Sequence, residues 1–174
     1  MLADPARVIQ PVHNLSTVCD GGWVDCENSL DWVLLMEVLM SGKSISDYIR
    51  VLVVEDDSYL REVICDAIKL LGIRHVHEAS EGTEALSMTV RIRPDVVFCD
   101  VQMEPMGGLE YLTKLRQLMD SEVAGTPVVF LTATTDVTTV EQAKKLNASG
   151  FIAKPPRGEA IKAAINRVLG KVVA

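Results

Sequence analysis

Residues 51–57, VLVVEDD, set four consecutive aliphatic side chains directly before three consecutive acids. A short apolar run cut off by polar residues reads as a strand buried on both faces, whose carboxyl end opens into Glu55, Asp56 and Asp57. Three later stretches repeat the design. DVVFCD (95–100), PVVFLTA (127–133) and FIAKP (151–155) bring Asp100, Thr132 and Lys154 to strand ends. Strands of this kind, alternating with helical patterns, predict a parallel sheet joined by right-handed crossovers. Ligands of such sheets bind beyond the carboxyl ends of the strands, where the strand order reverses. Asp56, Asp100, Thr132 and Lys154 are expected to converge there.

Working outward from Arg50, the pattern is regular. A helix is predicted from about Ser58 to Leu71, with Leu60, Val63, Ile64, Ala67, Ile68 and Leu71 on its apolar face and Gly72 as its stop. A strand follows over 73–78, then a helix near 82–91, with Pro94 marking entry into the strand at 95–99. Helices at 108–119, about 136–146 and 158–169 alternate with strands at 127–131 and 150–153. The last helix turns Ala160, Ile161, Ala164, Ile165, Val168 and Leu169 inward. Five β-α units suit an open, doubly wound five-stranded parallel sheet of the flavodoxin-like α/β class, strand order 2-1-3-4-5, better than a closed eight-stranded barrel. That order puts strands 1 and 3 side by side, and with them Asp56 and Asp100.

Composition bounds the function. No apolar stretch approaches the ~20 residues of a membrane helix, and the amino terminus lacks a basic region followed by a signal-type run, so a cytoplasmic location without membrane contact is expected. Residues 1–49 carry two bases against seven acids and the remainder fifteen against seventeen, which makes up the net charge of −7. Neither part offers a basic stripe for direct nucleic-acid binding. Cys19, Cys26, Cys65 and Cys99 form no CxxC pair. Cys65 and Cys99 read as small buried hydrophobes, and Cys19 and Cys26 as reduced thiols.

Over residues 50–170 the chain resembles the receiver domain of two-component response regulators. The resemblance rests on Glu55-Asp56 after strand 1, Asp100 followed by Met103 and Gly108 after strand 3, Thr132-Ala133 after strand 4, and Lys154-Pro155 after strand 5. It implies that Asp100 is the phosphoacceptor for a histidine kinase. It also implies that Thr132 and Lys154 contact the phosphoryl group, and that Mg²⁺ is held by Asp56 and Asp100, by Glu55 through a water, and by the backbone carbonyl of Gln102. Three carboxylates in one crevice repel each other, which itself calls for a divalent cation, and Mg²⁺ prefers such oxygens. Thr132 and Phe151 are the implied switch pair. Gln102, Ala133 and Thr134 border the entrance used by attacking water. Lys154-Pro155 is a candidate cis peptide. The chain departs from the family pattern at Pro156, where an aromatic is common, at Pro105, one position later than usual, and at Gly107, which replaces a common acid. Asp57 or Ser58 reads as the cap of the first helix.

Mg²⁺-dependent hydrolases with an Asp nucleophile form the contrasting class. A haloacid-dehalogenase site wants an acid where Ser58 stands, and a topoisomerase-primase site wants one at Gln102. The domain is therefore expected to be a phosphoacceptor switch with self-phosphorylation from small donors and autodephosphorylation, not an enzyme acting on a separate substrate.

Only Gly170 and Lys171 to Ala174 follow the last helix, so a single-domain regulator is expected, with partner binding or an assembly change as its output, including a homodimer. A phosphorelay shuttle or phosphate sink toward a second histidine phosphotransfer protein is the alternative. The extension, 1–49, reads as an irregular arm over 1–28 and a short helix at about 29–40, SLDWVLLMEVLM, apolar nearly all round. That helix fits a subunit interface or a partner groove. A start of translation at Met40 is the other reading, since MSGKSISDYIRVLVVEDD resembles the opening of a compact receiver.

Overall fold

The computed structural model describes Val18, Cys19, Gly22, Trp23, residues 45–133, residues 137–170 and Val173. The chain separates into two compact units, Met1–Lys43 and Ser44–Ala174. In the first, Val18 pairs with Trp23 and Cys19 with Gly22 in a short antiparallel ladder. This corrects the irregular reading at those positions. The cue was the Asp20-Gly21 dipeptide between the paired residues, a strong hairpin signal. The apolar segment at 29–40 and Thr134 lie outside the described residues.

The second unit is built on five parallel strands: β1 Arg50–Val54, β2 His75–Ala79, β3 Val96–Asp100, β4 Val128–Thr132 and β5 Gly150–Ala153. Their order is β2-β1-β3-β4-β5, the doubly wound arrangement expected. The helices are α1 Ser58–Leu70, α2 Gly82–Ile92, α3 Gly108–Arg116, α4 Val137–Lys145 and α5 Gly158–Leu169.

The apolar strands explain themselves by alternation, because successive side chains point to opposite faces of a sheet. Val51, Val53, Val96, Phe98, Val129 and Leu131 join Ile64, Ile68, Ile161 and Ile165 of α1 and α5 in one core layer. Leu52, Val54, Val97, Cys99, Val128 and Phe130 join Ala85 of α2, Tyr111, Leu112 and Leu115 of α3, and Ala143 of α4 in the other. With both faces covered, β3 and β4 are buried throughout. Ile49, just ahead of β1, sits in the first layer.

Several expectations shift in detail. On α1, Val63 is exposed and Cys65 buried, so the apolar stripe turns toward Cys65. β2 begins at His75 rather than at residue 73, because Gly72, at φ +87°, turns the chain and Ile73 packs into the core before the ladder starts. α3 ends at Arg116, three residues early. Gln117 and Leu118 donate to the carbonyls of Lys114 and Leu115, tightening the last turn, and Met119 is fully exposed. A further helical turn, Ser121–Ala124, follows; it was not expected, although Asp120 is a good cap and accepts from the amides of Glu122 and Val123.

Candidate functional site

At the carboxyl edge of the sheet, β1 runs out of ladder partners after Val54. Glu55 extends the pairing by one bond, its amide donating to the Ala79 carbonyl at 3.1 Å. Asp57 then caps α1, its carboxylate accepting from the Leu60 amide at 2.9 Å. The backbone is held on both sides of Asp56, whose side chain is exposed.

Asp100 closes β3 and is 6% exposed. Its Oδ1 accepts the Gln102 amide at 3.2 Å. The loop beyond it is tied down twice, by Gly82 N–H to the Met106 carbonyl and Gly108 N–H to the Val101 carbonyl, each at 3.1 Å. Met103 and Met106 are buried beneath it. Gly108 has no room for a side chain: a Cβ there would overlap the Asp100 carbonyl oxygen and press on Phe130 and Cys99. Glycine here sets how closely α3 approaches the carbonyl of Asp100.

From the other side, the Lys154 amide donates to the Thr132 carbonyl at 2.8 Å, fixing the end of β5 to the end of β4. The Lys154–Pro155 peptide is cis, as the resemblance implied, and so is Glu104–Pro105. Lys154 Nζ lies 2.6 Å from Asp100 Oδ2, and 2.9 and 2.7 Å from Glu55 Oε1 and Oε2. Glu55 Oε2 has this ion-pair partner but no well-aligned hydrogen-bond donor.

Burial pushes the Glu55 carboxyl above its ordinary range; Lys154 opposes this, and the charges of Asp100 and Asp56 add to it. Burial alone would pull the Lys154 ammonium down. Its hydrogen bonds to Asp100 and Glu55 outweigh burial and leave it above the usual lysine value.

Glu55, Asp56 and Asp100 each bring a carboxylate oxygen within 4.8 Å of the others. Three anionic side chains, with one oxygen of the buried Glu55 carboxylate, Oε2, lacking an aligned donor, fit a small hard divalent cation such as Mg²⁺. Beside them opens a cleft of about 160 Å³ lined by Asp100, Val101, Gln102, Thr132, Ala133, Thr139 and Lys154.

The fold therefore gathers Glu55, Asp56, Asp100, Thr132 and Lys154 at one sheet edge, with Gln102 and Ala133 on the cleft wall. Phe151 stands apart, partly buried in the core layer of α2 and α3, its ring 5.9 Å from Phe130 at 32°. Two further residues border the site. Thr139 of α4 lines the cleft, at the end of a threonine-rich stretch, TATTDVTT, in which nothing singles out this threonine from the others. Arg61 of α1 donates to the Glu55 carbonyl at 2.7 Å, and an isolated arginine on an amphipathic helix reads as a solvated one.

The doubly wound α/β domain thus sets an acidic oxygen cluster against one lysine at the carboxyl edge of its sheet, where domains of this class bind their ligands. The chain belongs to the response regulator receiver domain family, whose model matches residues 51–166. It is 32% identical over 127 residues to a Rhizobium etli protein described as "Probable chemotaxis protein CheY", covering 73% of this chain and 97% of that one. It is 34% identical over 106 residues to the regulatory protein AtoC of Escherichia coli, covering 61% of this chain but only 22% of AtoC. The solved structure of chemotaxis protein CheY4 of Vibrio cholerae is similar at TM-score 0.64 and 31% identity, over 69% of this chain and 98% of that one. Members of the family are phosphoacceptor switches of two-component signalling, and phosphorylation and Mg²⁺ binding are typical of them. Among the described residues, no helix is long and apolar enough to cross a membrane.

Proposed function

We propose that residues 44–174 work as a phosphorylation-controlled switch in which Asp100 accepts a phosphoryl group from a histidine kinase and the changed surface engages an effector or alters assembly. The observation that carries this reading is the position of Asp100: 6% exposed, on the wall of the cleft, 2.6 Å from Lys154 and clustered with Glu55 and Asp56. A carboxylate with no such surroundings would be a poor acceptor, because phosphoryl transfer depends on positioning and charge neutralisation more than on covalent chemistry.

In this reading one oxygen of Asp100 attacks phosphorus as the bond between phosphorus and the donor histidine nitrogen breaks. Asp56 and Asp100, with Glu55 and the Gln102 carbonyl in support, would hold Mg²⁺, which when bound would supply the positive charge an anionic carboxylate needs to approach an anionic phosphoryl group. Lys154 gives up part of its pairing with Asp100 and Glu55 and donates to a phosphoryl oxygen. The Thr132 hydroxyl donates to another. Phosphorylation adds roughly −1.5 to −2 charge at the end of β3. Thr132 moves toward that charge, and Phe151, two strands from the acceptor, repacks in response. Gln102, Ala133 and Thr134 govern the access of water to the acyl phosphate. The kinase, and a cytoplasmic setting where it would be met, belong to the same reading.

The test is labelling by a small phosphodonor such as phosphoramidate. Wild-type protein is expected to gain one phosphoryl group only when Mg²⁺ is present, and Asp100→Asn to gain none. Undiminished labelling of Asp100→Asn would remove the proposal.

A further inference from the structure

Arg61 borders the site, and the phosphoacceptor reading leaves it without a role. It lies one turn into α1, with a side chain only 18% exposed. Its Nη1 donates to the Glu55 carbonyl at 2.7 Å, while its Nε pairs with Glu78 of β2 at 3.2 Å. The guanidinium thus joins three elements: the first turns of α1, the end of β1 and the end of β2.

The atom it holds gives the contact its meaning. The Glu55 carbonyl belongs to the peptide that links Glu55 to Asp56. The Glu55 amide is already spoken for by Ala79, and the next capped position is Asp57. The orientation of the intervening peptide is set by ψ of Glu55 and φ of Asp56. Those two angles decide where both carboxylates project. A donor on the carbonyl oxygen fixes the plane, and a planar guanidinium braced by Glu78 holds that donor in place.

We infer that Arg61 is a positioning residue for the cation site, clamping the Glu55–Asp56 peptide so that both carboxylates face Asp100. The inference rests on the reading of Glu55, Asp56 and Asp100 as a Mg²⁺ site. Hydrogen-bonding partners that orient metal ligands commonly change affinity 10- to 100-fold when removed. Arg61→Ala is expected to raise the Mg²⁺ dissociation constant by about that factor. Arg61→Lys, which keeps a donor within reach without the planar fork, is expected to recover most of the loss. Glu78→Gln, which weakens the brace but leaves the carbonyl bond, is expected to stay within about threefold of wild type.

The measurement is isothermal titration of the full chain with Mg²⁺ alone, beside thermal unfolding in chelator. A structural role alone would lower the unfolding temperature of Arg61→Ala and leave the dissociation constant of the folded fraction unchanged. That result, or an Arg61→Lys variant that is folded and no better than Arg61→Ala, overturns the inference. Should Arg61→Ala fail to fold, Arg61→Lys and Arg61→Gln carry the test. Weakened affinity in folded Arg61→Gln, with Arg61→Lys nearer wild type, supports the clamp, whereas wild-type affinity in Arg61→Gln, or an Arg61→Lys no better than Arg61→Gln, contradicts it. Asp56→Asn separates the two levels. Binding lost in Asp56→Asn but kept in Arg61→Ala sinks the clamp alone, whereas a wild-type protein that binds no Mg²⁺ sinks the clamp and the cation site together.

Discussion

The site has two halves that are built differently. The carboxylates stand at the ends of β1 and β3, two inner strands, whose residues from Val51 to Val54 and Val96 to Asp100 are all buried. The loops that follow are pinned by the Asp57 cap, the Arg61 clamp, the bond from Gly82 to Met106 and the close seat of Gly108. Lys154 stands at the end of β5, an edge strand with one buried residue, Ile152, and leads into a helix whose N-cap, Arg157, makes no side-chain capping bond. The anionic half is held by packing and backbone bonds. The cationic half has the backbone bond from Lys154 to Thr132 and the attraction of its ammonium to the anions, with less packing around it. The acceptor is therefore expected to stay fixed while the lysine and the Phe151 region adjust around it.

The sharpest way to break this contrast is to add a methyl group on each side. At Gly108 the obstacle is backbone, the Asp100 carbonyl, which cannot step aside; Gly108→Ala is expected to cost about 3 kcal/mol in chemical unfolding. At Gly150 of β5 the obstacle is the end of the Arg167 side chain, which can swing away, so Gly150→Ala is expected to change stability by less than about 1 kcal/mol. Equal losses would mean the two halves are equally rigid.

A smaller effect comes from pH. Burial raises the Glu55 carboxyl above 4.5, so the folded chain binds this proton more tightly than the unfolded one. The charged carboxylate then opposes folding above the raised value, and this cost fades as the pH falls to 4.5. In chelator, the stability advantage of Glu55→Gln over wild type is expected to shrink as pH drops through that window. Thermal melts at a series of pH values check it, and an advantage that grows toward acid would refute it.

The mildest prediction is an absence of reaction. Burial pushes the Cys65 thiol up to about 12 and the Cys99 thiol well above its ordinary value. Peptide mapping after iodoacetamide treatment of folded protein at neutral pH should find neither modified, and both modified after unfolding. Labelling of Cys99 without unfolding would show that the inner strand opens more readily than its complete burial implies.

The same contrast explains what could be read from sequence. Strands buried on both faces, such as VVFCD and VVFLT, announce themselves as unbroken apolar runs, and their ends delivered Asp56, Asp100 and Thr132 to one place. The bounds of β2 differ from the expected ones at both ends, because an edge strand with His75, His77 and Glu78 has no apolar run to delimit it. Leu118 and Met119 carried helical periodicity past the true end of α3: Leu118 still packs against the core although the helix has ended, and Met119 is uncovered, so an apolar residue in phase marks neither the helix nor a buried face. Arg61 was invisible for another reason. Its partner is a backbone carbonyl six residues back, and no side-chain pattern encodes such a bond. Residues with a defining chemical type were legible; those that act by orienting a peptide needed coordinates.

The central claim is that Asp100 is the phosphoacceptor, and the direct measurement is to trap the acyl phosphate. Protein treated with a small phosphodonor and Mg²⁺ would be reduced with borohydride, digested and mapped by mass spectrometry. The expected result is a single conversion of an aspartate to homoserine, at Asp100. Conversion at Asp56 or elsewhere, or none in Mg²⁺-loaded folded protein, would contradict it.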